Sequence, residues 1–304
     1  MNNFNRRDFL KSAAVLAAGA AVLPSITFAA DNKIQRLVLQ LYTVRDDMNK
    51  DAAGTLKKLA ALGYTHVEHA NYNNRKFYGY PVKEFKTLLD DLGLKMPSGH
   101  TTMTIDHWDK TKNDFTDSWK QTVEDAAEIG QRFVISPSLG GGLQMTAESM
   151  KPFMDQFNKN GELCQKSGMK FGYHNHDFEF TTKIGDITLY DFMLQNTDPK
   201  LVTQQLDIGN MFTVGAQALD YINKYPGRFE LMHVKDELVL AKEPKVKYEN
   251  CVLGKGIVPL KAILKAARKT GGTTHFVIEQ EEYQGLGQTE SAGIDLKVMK
   301  KWGF

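Results

Sequence analysis

The chain has 304 residues, with 38 Lys and Arg against 36 Asp and Glu, so its formal net charge is only +2. This balance gives no indication of a nucleic-acid partner or an anionic membrane surface, and the length suits one large domain. Cys164 and Cys251 are the only cysteines, which excludes a disulfide framework and leaves the core to hold the fold.

The first thirty residues differ from the rest of the chain. Arg6 and Arg7 stand in an R-R-x-F-L-K context, followed by an apolar run over about 13–26 and small residues at 27–29. This pattern is typical of a twin-arginine export signal and predicts a periplasmic or otherwise exported protein. The run is too short for a stable membrane span, which needs roughly 20 apolar residues, so we expect no stable insertion after cleavage. An uncleaved anchor helix is the alternative.

Removal of the signal lowers the formal net charge of the chain from +2 to zero. Residues 1–30 contain Arg6, Arg7, Lys11 and Asp8, so the mature protein keeps 35 basic and 35 acidic residues. Twin-arginine substrates generally cross the membrane folded and often carry a cofactor, which is a first indication of a metal.

Strand-like apolar runs alternate with amphipathic helical runs through the mature chain. The predicted strands cover 36–43, 65–70, 94–100, 132–138, 169–176, 201–210, 228–236 and 274–281, and the helices between and after them cover 52–63, 82–93, 118–130, 147–168, 187–196, 216–225, 259–271 and 290–302. Most of these helices end in glycine ahead of the next strand, as αβ loops do. Eight such units predict a single (β/α)8 barrel over residues 31–304. An open doubly wound sheet is the alternative, and no G-x-G-x-x-G follows the first strand to support it.

Polar residues gather at the predicted carboxyl ends of the strands, where barrels of this class carry their chemistry. They are Glu68 and His69 on strand two, His100 on strand three, His174 and His176 on strand five, Asp207 on strand six, His233, Lys235 and Asp236 on strand seven, and Glu279 and Glu281 on strand eight. Strand alternation predicts that His174 and His176 share one direction, as do Glu279 and Glu281.

Four consecutive strands, five to eight, supply imidazole and carboxylate groups to one small volume. A single histidine at a strand end is more often structural than ligating, but four such groups on adjacent strands indicate a site. Burial of Asp207 and Glu279 without a compensating charge would cost several kcal/mol each. One divalent ion is the simplest compensation, and a set without thiolates suits Mn²⁺, Zn²⁺, Co²⁺ or Fe²⁺.

A set of segments resembles the xylose-isomerase-like sugar isomerase and epimerase family, the barrel superfamily that also contains the endonuclease IV type of nuclease. The segments are LQLYTVRDDM (39–48), GYTHVEHANY (63–72), YHNHDFEF (173–180), LDIGN (206–210), HVKD (233–236), GKG (254–256) and VIEQE (277–281). They occur in order over essentially the whole mature chain. In that family Glu, Asp, His and Glu commonly hold the metal. The resemblance implies Asp207, His233 and Glu279 as ligands, with His174 in place of the first Glu, as in the inosose dehydratase branch.

The substitution of His174 changes the implied chemistry. The family's epimerases use two metal-bound glutamates on opposite faces of the substrate, and a neutral metal-bound histidine cannot act as the first of these bases. One-sided proton abstraction remains, with Glu279, Glu281, His176 or Glu68 as the base. His176 has a second interpretation, as a residue that orients its neighbours.

Further residues are expected to bind the substrate or to orient the metal ligands. Lys235 and Lys255 are expected to stabilise oxyanions or bind hydroxyls, although a solvated surface position is the alternative for Lys255. The predicted substrate-binding set is Glu68, His100, Trp108 and Lys255. A core position is the alternative for Trp108, and Asp236 is expected to orient a ligand histidine.

The sequence therefore predicts a metal-dependent enzyme that removes a proton α to a carbonyl of a small carbohydrate and leads to isomerisation or β-elimination. Export favours a neutral sugar, a keto-glycoside or a cyclitol over a sugar phosphate, because phosphorylated sugars stay in the cytoplasm. An endonuclease IV-like phosphodiesterase and a non-catalytic sugar-binding barrel are the alternatives, and an oligomer is possible.

Overall fold

Eight parallel strands close into a barrel in the computed structural model, which describes residues 35–241 and 247–304. The barrel strands are β1 (Arg36–Gln40), β2 (His66–His69), β3 (Lys95–His100), β4 (Phe133–Ser136), β5 (Lys170–His174), β6 (Val202–Asp207), β7 (Leu231–Val234) and β8 (His275–Ile278). Each strand pairs with its neighbours in chain order, and β8 pairs with β1 to close the ring. This confirms the predicted barrel over an open sheet. The predicted export signal lies outside the described residues, and the domain boundary at residue 30 stays a prediction.

Helices alternate with the barrel strands along the chain. They are α1 (Arg45–Lys50), α2 (Ala52–Leu62), α3 (Val82–Asp91), α4 (Asp117–Glu128), α5 (Ala147–Gln165), α6 (Phe178–Thr181), α7 (Leu189–Gln195), α8 (Ile208–Thr213), α9 (Ala218–Lys224), α10 (Leu260–Ala266) and α11 (Gln288–Lys301). In the described part of the chain, none of them combines the length and apolar character that a membrane crossing needs.

The helix ends show why the sequence folds locally as it does. Asp51 caps α2, because its side chain accepts the backbone N–H of Gly54. The same helix ends at Gly63, whose φ of 98° is the left-handed conformation that glycine adopts without strain. The predicted end at Gly271 is one residue early, since α10 continues as a π-helical turn and Gly272 takes the left-handed position with φ 81°.

The strands that carry the predicted site are shorter than the sequence pattern indicated. The predicted strands 169–176, 201–210, 228–236 and 274–281 end at His174, Asp207, Val234 and Ile278. β6 and β8 each end three residues earlier than predicted, and after β6 the Asp207 side chain accepts the backbone N–H of Asn210 at 2.8 Å and starts α8. His176, Glu279 and Glu281 therefore lie on loops, and strand alternation does not explain the direction of their side chains.

Short hairpins follow four of the strands at their carboxyl ends. They pair 72–73, 76–77 and 80–81 after β2, 108–109 with 114–115 after β3, 183–184 with 187–188 after β5, and 236–241 with 247–251 after β7. Their position places them around the end of the barrel at which the polar residues lie.

Candidate active site

The carboxyl ends of β5 to β8 bring together four side chains of ligand type. His174 ends β5, Asp207 ends β6, His233 lies in β7 and Glu279 follows β8. One ligand atom from each lies within 4.8 Å of the other three, and all four residues are buried. The register explains the proximity, because Asp207 is directly opposite His233 across the β6–β7 pair. The four residues predicted as metal ligands thus share one small volume.

Gln205 fixes the orientation of two histidines at this site. Its Oε1 accepts hydrogen bonds from His100 Nε2 at 2.7 Å and from His174 Nδ1 at 3.1 Å. These bonds place the proton of His174 on Nδ1 and leave Nε2 with a free lone pair, 3.8 Å from Asp207 Oδ2. Burial first, and then the charge of His233, lowers the pKa of His174 far below its usual value. His174 is therefore a neutral ring with its free nitrogen towards the other ligands.

His233 lies between two carboxylates. Its Nδ1 is 2.7 Å from Glu279 Oε2, and its Nε2 is 2.7 Å from Glu68 Oε1. Burial lowers the pKa of His233, but the charges of Glu279 and Glu68 outweigh burial and raise it. In this arrangement the ring is an imidazolium that donates to both carboxylates. A bound cation at Nδ1 would displace that proton and leave Nε2–H on Glu68.

Lys235 carries a second buried positive charge. Its Nζ lies 3.1 Å from Asp207 Oδ2, 2.9 Å from Glu279 Oε2 and 2.7 Å from Glu281 Oε1. These three carboxylates outweigh the effect of burial and raise the pKa of Lys235. The charges of Lys235 and His233 likewise lower the pKa of Glu279, although burial alone would raise it. Burial of Asp207 and Glu279 therefore does not by itself require a metal, which corrects the cost argument made from the sequence.

Two observations fit a divalent cation nonetheless. Four carboxylates, those of Glu68, Asp207, Glu279 and Glu281, surround the two cations Lys235 and His233, so two negative charges remain unbalanced. Asp207 Oδ2 is also buried and accepts no well-aligned hydrogen bond from the described residues, although the Lys235 ammonium is near. A buried carboxylate oxygen without a hydrogen bond is costly unless a cation occupies its lone pair.

A cavity of about 900 Å³ opens above the cluster. Six of the predicted site residues line it: His100, His174, His176, Lys235, Glu279 and Glu281. His107 and Trp119 line it as well, and their rings pack at a centroid distance of 4.6 Å. The sequence pattern missed these two residues, because they come from the segment after β3 and from α4 and not from a strand end.

Three residues predicted to bind substrate do not line this cavity. Glu68 is fully buried beneath it and accepts from Gln40, Ser98, Gln205 and His233, so it orients other site residues. Trp108 packs edge-on against Phe115 in the hairpin after β3. Lys255 is exposed on the loop before α10. Their substrate-binding roles therefore gain no support from this cavity and stay predictions.

Asp236 also differs from expectation. Its carboxylate accepts four backbone N–H groups, from Glu237, Gly254, Gly256 and Val258. It holds the G-K-G loop in place, and among the described residues it makes no hydrogen bond to a histidine. Gly256 is required there, because a Cβ at this position would lie 2.2 Å from Asp236 Oδ1.

Glu179 fixes the position of His176. The Glu179 carboxylate is buried and accepts the backbone N–H of His176 at 2.9 Å and the hydroxyl of Tyr173. Burial raises the pKa of Glu179 to about 7 and lowers the pKa of His176 below its usual value. His176 is therefore a neutral imidazole on a fixed backbone at the cavity wall.

A closed parallel barrel with a titratable cluster and a polar cavity at the carboxyl ends of its strands has the architecture of a (β/α)8 enzyme. Residues 56–302 match the xylose isomerase-like TIM barrel family, and residues 3–22 match the twin-arginine translocation signal sequence. The chain belongs to the xylose isomerase-like TIM barrel family, and its N-terminal signal indicates export.

Individual relatives share the whole barrel. The inosose dehydratase of Geobacillus thermodenitrificans is 23% identical over 282 residues, which cover 83% of this chain and 91% of the relative. A sugar phosphate isomerase/epimerase from Parabacteroides distasonis is 26% identical, with a TM-score of 0.73 over 88% of this chain and 93% of that structure. The IolI protein, crystallised with a zinc atom, has the same fold at 14% identity, with a TM-score of 0.67 over 88% of this chain and 97% of that structure.

Proposed function

We propose that this protein is a divalent-metal-dependent enzyme that removes a proton α to a carbonyl group of a small neutral carbohydrate. The outcome is isomerisation or β-elimination. The observation that carries the proposal is the convergence of His174, Asp207, His233 and Glu279 within 4.8 Å next to a cavity of about 900 Å³.

The relatives support the same class of chemistry. They include an inosose dehydratase and a sugar phosphate isomerase/epimerase, and proton removal next to a carbonyl is a common first step for dehydration, isomerisation and epimerisation of sugars. The zinc atom in IolI, which has the same fold, supports the proposal of a metal ion for this chain. For this chain we propose one Mn²⁺, Zn²⁺ or Co²⁺ bound by His174, Asp207, His233 and Glu279.

The ion would supply Lewis-acid polarisation of the substrate carbonyl and its neighbouring hydroxyl. The Lys235 ammonium lies at the cavity wall and is placed to stabilise the oxyanion that forms when the α-proton leaves. His176 and Glu281 are the two candidate bases, because both line the cavity and neither belongs to the ligand set.

Each outcome has a simple balance of bonds. The base takes the α-proton, and the C–H electron pair forms an enediolate. In isomerisation a proton is delivered to the former carbonyl carbon, and the proton of the neighbouring hydroxyl moves to the former carbonyl oxygen, so the carbonyl group shifts by one carbon. In β-elimination the enediolate expels the β-oxygen substituent, which leaves with a proton as water or an alcohol.

The cavity walls favour an uncharged substrate. Lys235 is the only lysine or arginine among the described residues that line the cavity, and three carboxylates already surround it. Glu279 and Glu281, two of these carboxylates, line the cavity together with Asp177, and their negative charge opposes a phosphate group. An exported, periplasmic location agrees with this choice, since phosphorylated sugars stay in the cytoplasm.

Solvent-deuterium exchange tests the proposal. Metal-loaded protein is incubated in D₂O with inosose and with 3-keto-glucosides, and NMR identifies the carbon that acquires deuterium. His176→Gln and Glu281→Gln separate the candidate bases, and the true base variant should lose at least 100-fold in exchange rate. His66→Gln is the matched control, because His66 lies at the opposite end of β2 from the cavity.

The same experiment addresses the two alternatives. A sugar-binding barrel without catalytic activity would bind sugar in the absence of metal and label no carbon. A phosphodiesterase of the endonuclease IV type would need several metal ions and a basic groove, so a stoichiometry near one ion per chain argues against it.

A further inference from the structure

We infer that the outer part of the cavity is a second sugar subsite, which binds a further neutral ring of an extended substrate. This inference rests on the proposed function and adds the size of the substrate to it. Pockets that enclose drug-sized ligands span about 300 to 1,000 Å³. A volume of about 900 Å³ lies near the upper limit and leaves room beyond the single ring that contacts the ligand cluster.

The loop after β2 supplies polar groups to this outer part. Asn71, Asn73 and Asn74 line the cavity, and all three are exposed to it. Within the described ranges, their side-chain amides make no hydrogen bond to other residues, so each retains two donors and an acceptor for a ligand. Neutral amides that both donate and accept suit sugar hydroxyl groups, which also do both.

An ion pair ties the tip of this hairpin to α4. Asn74 and Arg75 form its two-residue turn with φ values of 49° and 59°, the pair of positive angles that a type I′ turn requires. Arg75 binds the buried Asp125 of α4 through two bonds, at 2.6 Å and 3.0 Å, and the Tyr72 hydroxyl donates to the same carboxylate at 2.7 Å. The loop is thus fixed before any ligand arrives, which reduces the entropic cost of binding.

Tyr42 supplies an aromatic surface to the same cavity. It lines the cavity with 42% of its surface exposed, which is unusual for a large apolar side chain. Arg45 packs over its ring at 4.7 Å and is itself bonded to Tyr283 and to the backbone of Glu281. Because β1 and β2 are paired neighbours, the loops that carry Tyr42 and the asparagines are adjacent. An exposed aromatic side chain next to free amides offers apolar contact for sugar C–H groups and hydrogen bonds for hydroxyls.

Calorimetric titration with unoxidised sugars tests the subsite without turnover. Cellobiose, lactose, maltose and trehalose are each compared with glucose on metal-loaded protein. We expect at least one disaccharide to bind about tenfold more tightly than glucose. Tyr42→Ala, Asn71→Ala and Asn73→Ala should each remove about five- to tenfold of that advantage and change glucose affinity less than twofold.

Two further variants test the positioning role of Arg75. Arg75→Ala should weaken disaccharide binding as the asparagine variants do, and Arg75→Lys should restore it in part, because lysine keeps the charge without the bidentate geometry. Lys76→Ala is the matched control, since Lys76 is an exposed neighbour in the same hairpin. The inference is overturned if no disaccharide binds more tightly than glucose, or if the advantage survives in all the loop variants.

Failure of the subsite and failure of the proposed function give different results. Deuterium labelling of a keto-monosaccharide with no disaccharide advantage would remove the subsite and leave the function. Asparagine-dependent disaccharide binding with no labelling of any keto-sugar would remove the function and leave the subsite.

Discussion

Glu68 illustrates how a buried residue outside the cavity can control the candidate metal centre. Its Oε1 lies 2.7 Å from His233 Nε2, and its Oε2 accepts from Gln205, the residue that orients His174. Both histidines of the ligand set therefore depend on one carboxylate. Such outer partners of metal ligands typically contribute 10- to 100-fold to metal affinity.

We predict that Glu68→Gln weakens binding of Zn²⁺ or Mn²⁺ by about 10- to 100-fold, because His233 loses its charged acceptor. KM for a sugar should change little once the metal is saturating, because Glu68 does not line the cavity. Competition with a chromophoric chelator measures the affinity, and Glu249→Gln in the hairpin after β7 is the control. An unchanged metal affinity would show that Glu68 does not orient the ligands.

Asp295 of α11 is a buried carboxylate with an unusual environment. Its Oδ1 accepts the backbone N–H of Leu253 at 2.8 Å, and its Oδ2 has no hydrogen-bond partner among the described residues. Burial, together with the nearby charge of Asp236, raises the pKa of Asp295 to about 7. In the unfolded chain an aspartate has a pKa of about 3.9. Between these two values the folded state holds a proton that the unfolded state has lost.

Stability should therefore fall as the pH rises from about 4 to about 7, since the unfolded state binds fewer protons in this window. Asp295→Asn removes this loss. We predict no gain in the free energy of unfolding for the variant near pH 4, and a growing gain that levels off above pH 7 at a few kcal/mol. Thermal unfolding from pH 4 to pH 8 measures it, with the exposed Asp91→Asn of α3 as the control. A gain that is the same at every pH would contradict the assignment.

At the scale of elements, the junction between β6 and α8 has two roles: it starts the helix and it supplies one residue of the candidate metal centre. Asp207 ends the strand, its Oδ1 caps the helix, and its Oδ2 lies among the ligand atoms. Gly209 follows because a Cβ there would lie 2.6 Å from the Cβ of Lys235. The L-D-I-G-N segment thus sets the helix start and the approach of Lys235 to the site.

Two substitutions separate the roles of Asp207. Asp207→Asn keeps an oxygen for the helix cap, whereas Asp207→Ala removes it, so we predict that the alanine variant is less stable than the asparagine variant by about 1 kcal/mol. Both should lose tight metal binding, because neither retains the carboxylate. Chemical denaturation in the presence of EDTA compares the stabilities, and elemental analysis after dialysis measures the bound metal. Equal metal content in wild type and Asp207→Asn would exclude Asp207 as a ligand.

The sequence pattern predicted the number and order of the barrel units because each strand and helix carries its own periodicity. It placed the carboxyl ends of these strands up to three residues beyond their observed ends. The apolar or β-like pattern continues past Asp207 and Ile278, whereas the pairing with neighbouring strands stops there. The start of α8 was visible in principle, because Asp207 is a good N-cap residue. The pattern nevertheless placed the candidate ligands at the correct end of the barrel.

The roles of individual site residues were less accessible from the sequence. Glu68 contacts Gln40, Gln205 and His233, which are separated from it by up to 165 residues, and no local pattern encodes such contacts. The same reason explains why Lys235 was not recognised as the balancing charge for Asp207. Trp119 was hidden in an ordinary amphipathic helix, α4, and only the tertiary structure places it at the cavity.

At the scale of the whole molecule, the barrel and its N-terminal signal are separate in sequence. The signal match covers residues 3–22, and the first barrel strand begins at Arg36. All described contacts of the candidate site lie between residues 40 and 281. These described contacts join residues of the barrel, and we predict that the signal affects only the destination of the protein.

We predict that replacement of both Arg6 and Arg7 by lysine stops export while the barrel remains intact. A twin-arginine signal is read through its arginine pair, so the precursor should accumulate in the cytoplasm, whereas wild-type protein reaches the periplasm. Cell fractionation and immunoblotting measure the distribution, with Lys11→Gln as a control that changes a nearby charge and keeps the pair. Purified residues 31–304 should show the same Tm and metal content as the full chain, since β1 begins beyond the signal. Export of the double-lysine variant at the wild-type level would contradict the assignment of the route, and a lower Tm of the shortened chain would show that the N-terminal segment contributes to the stability of the barrel.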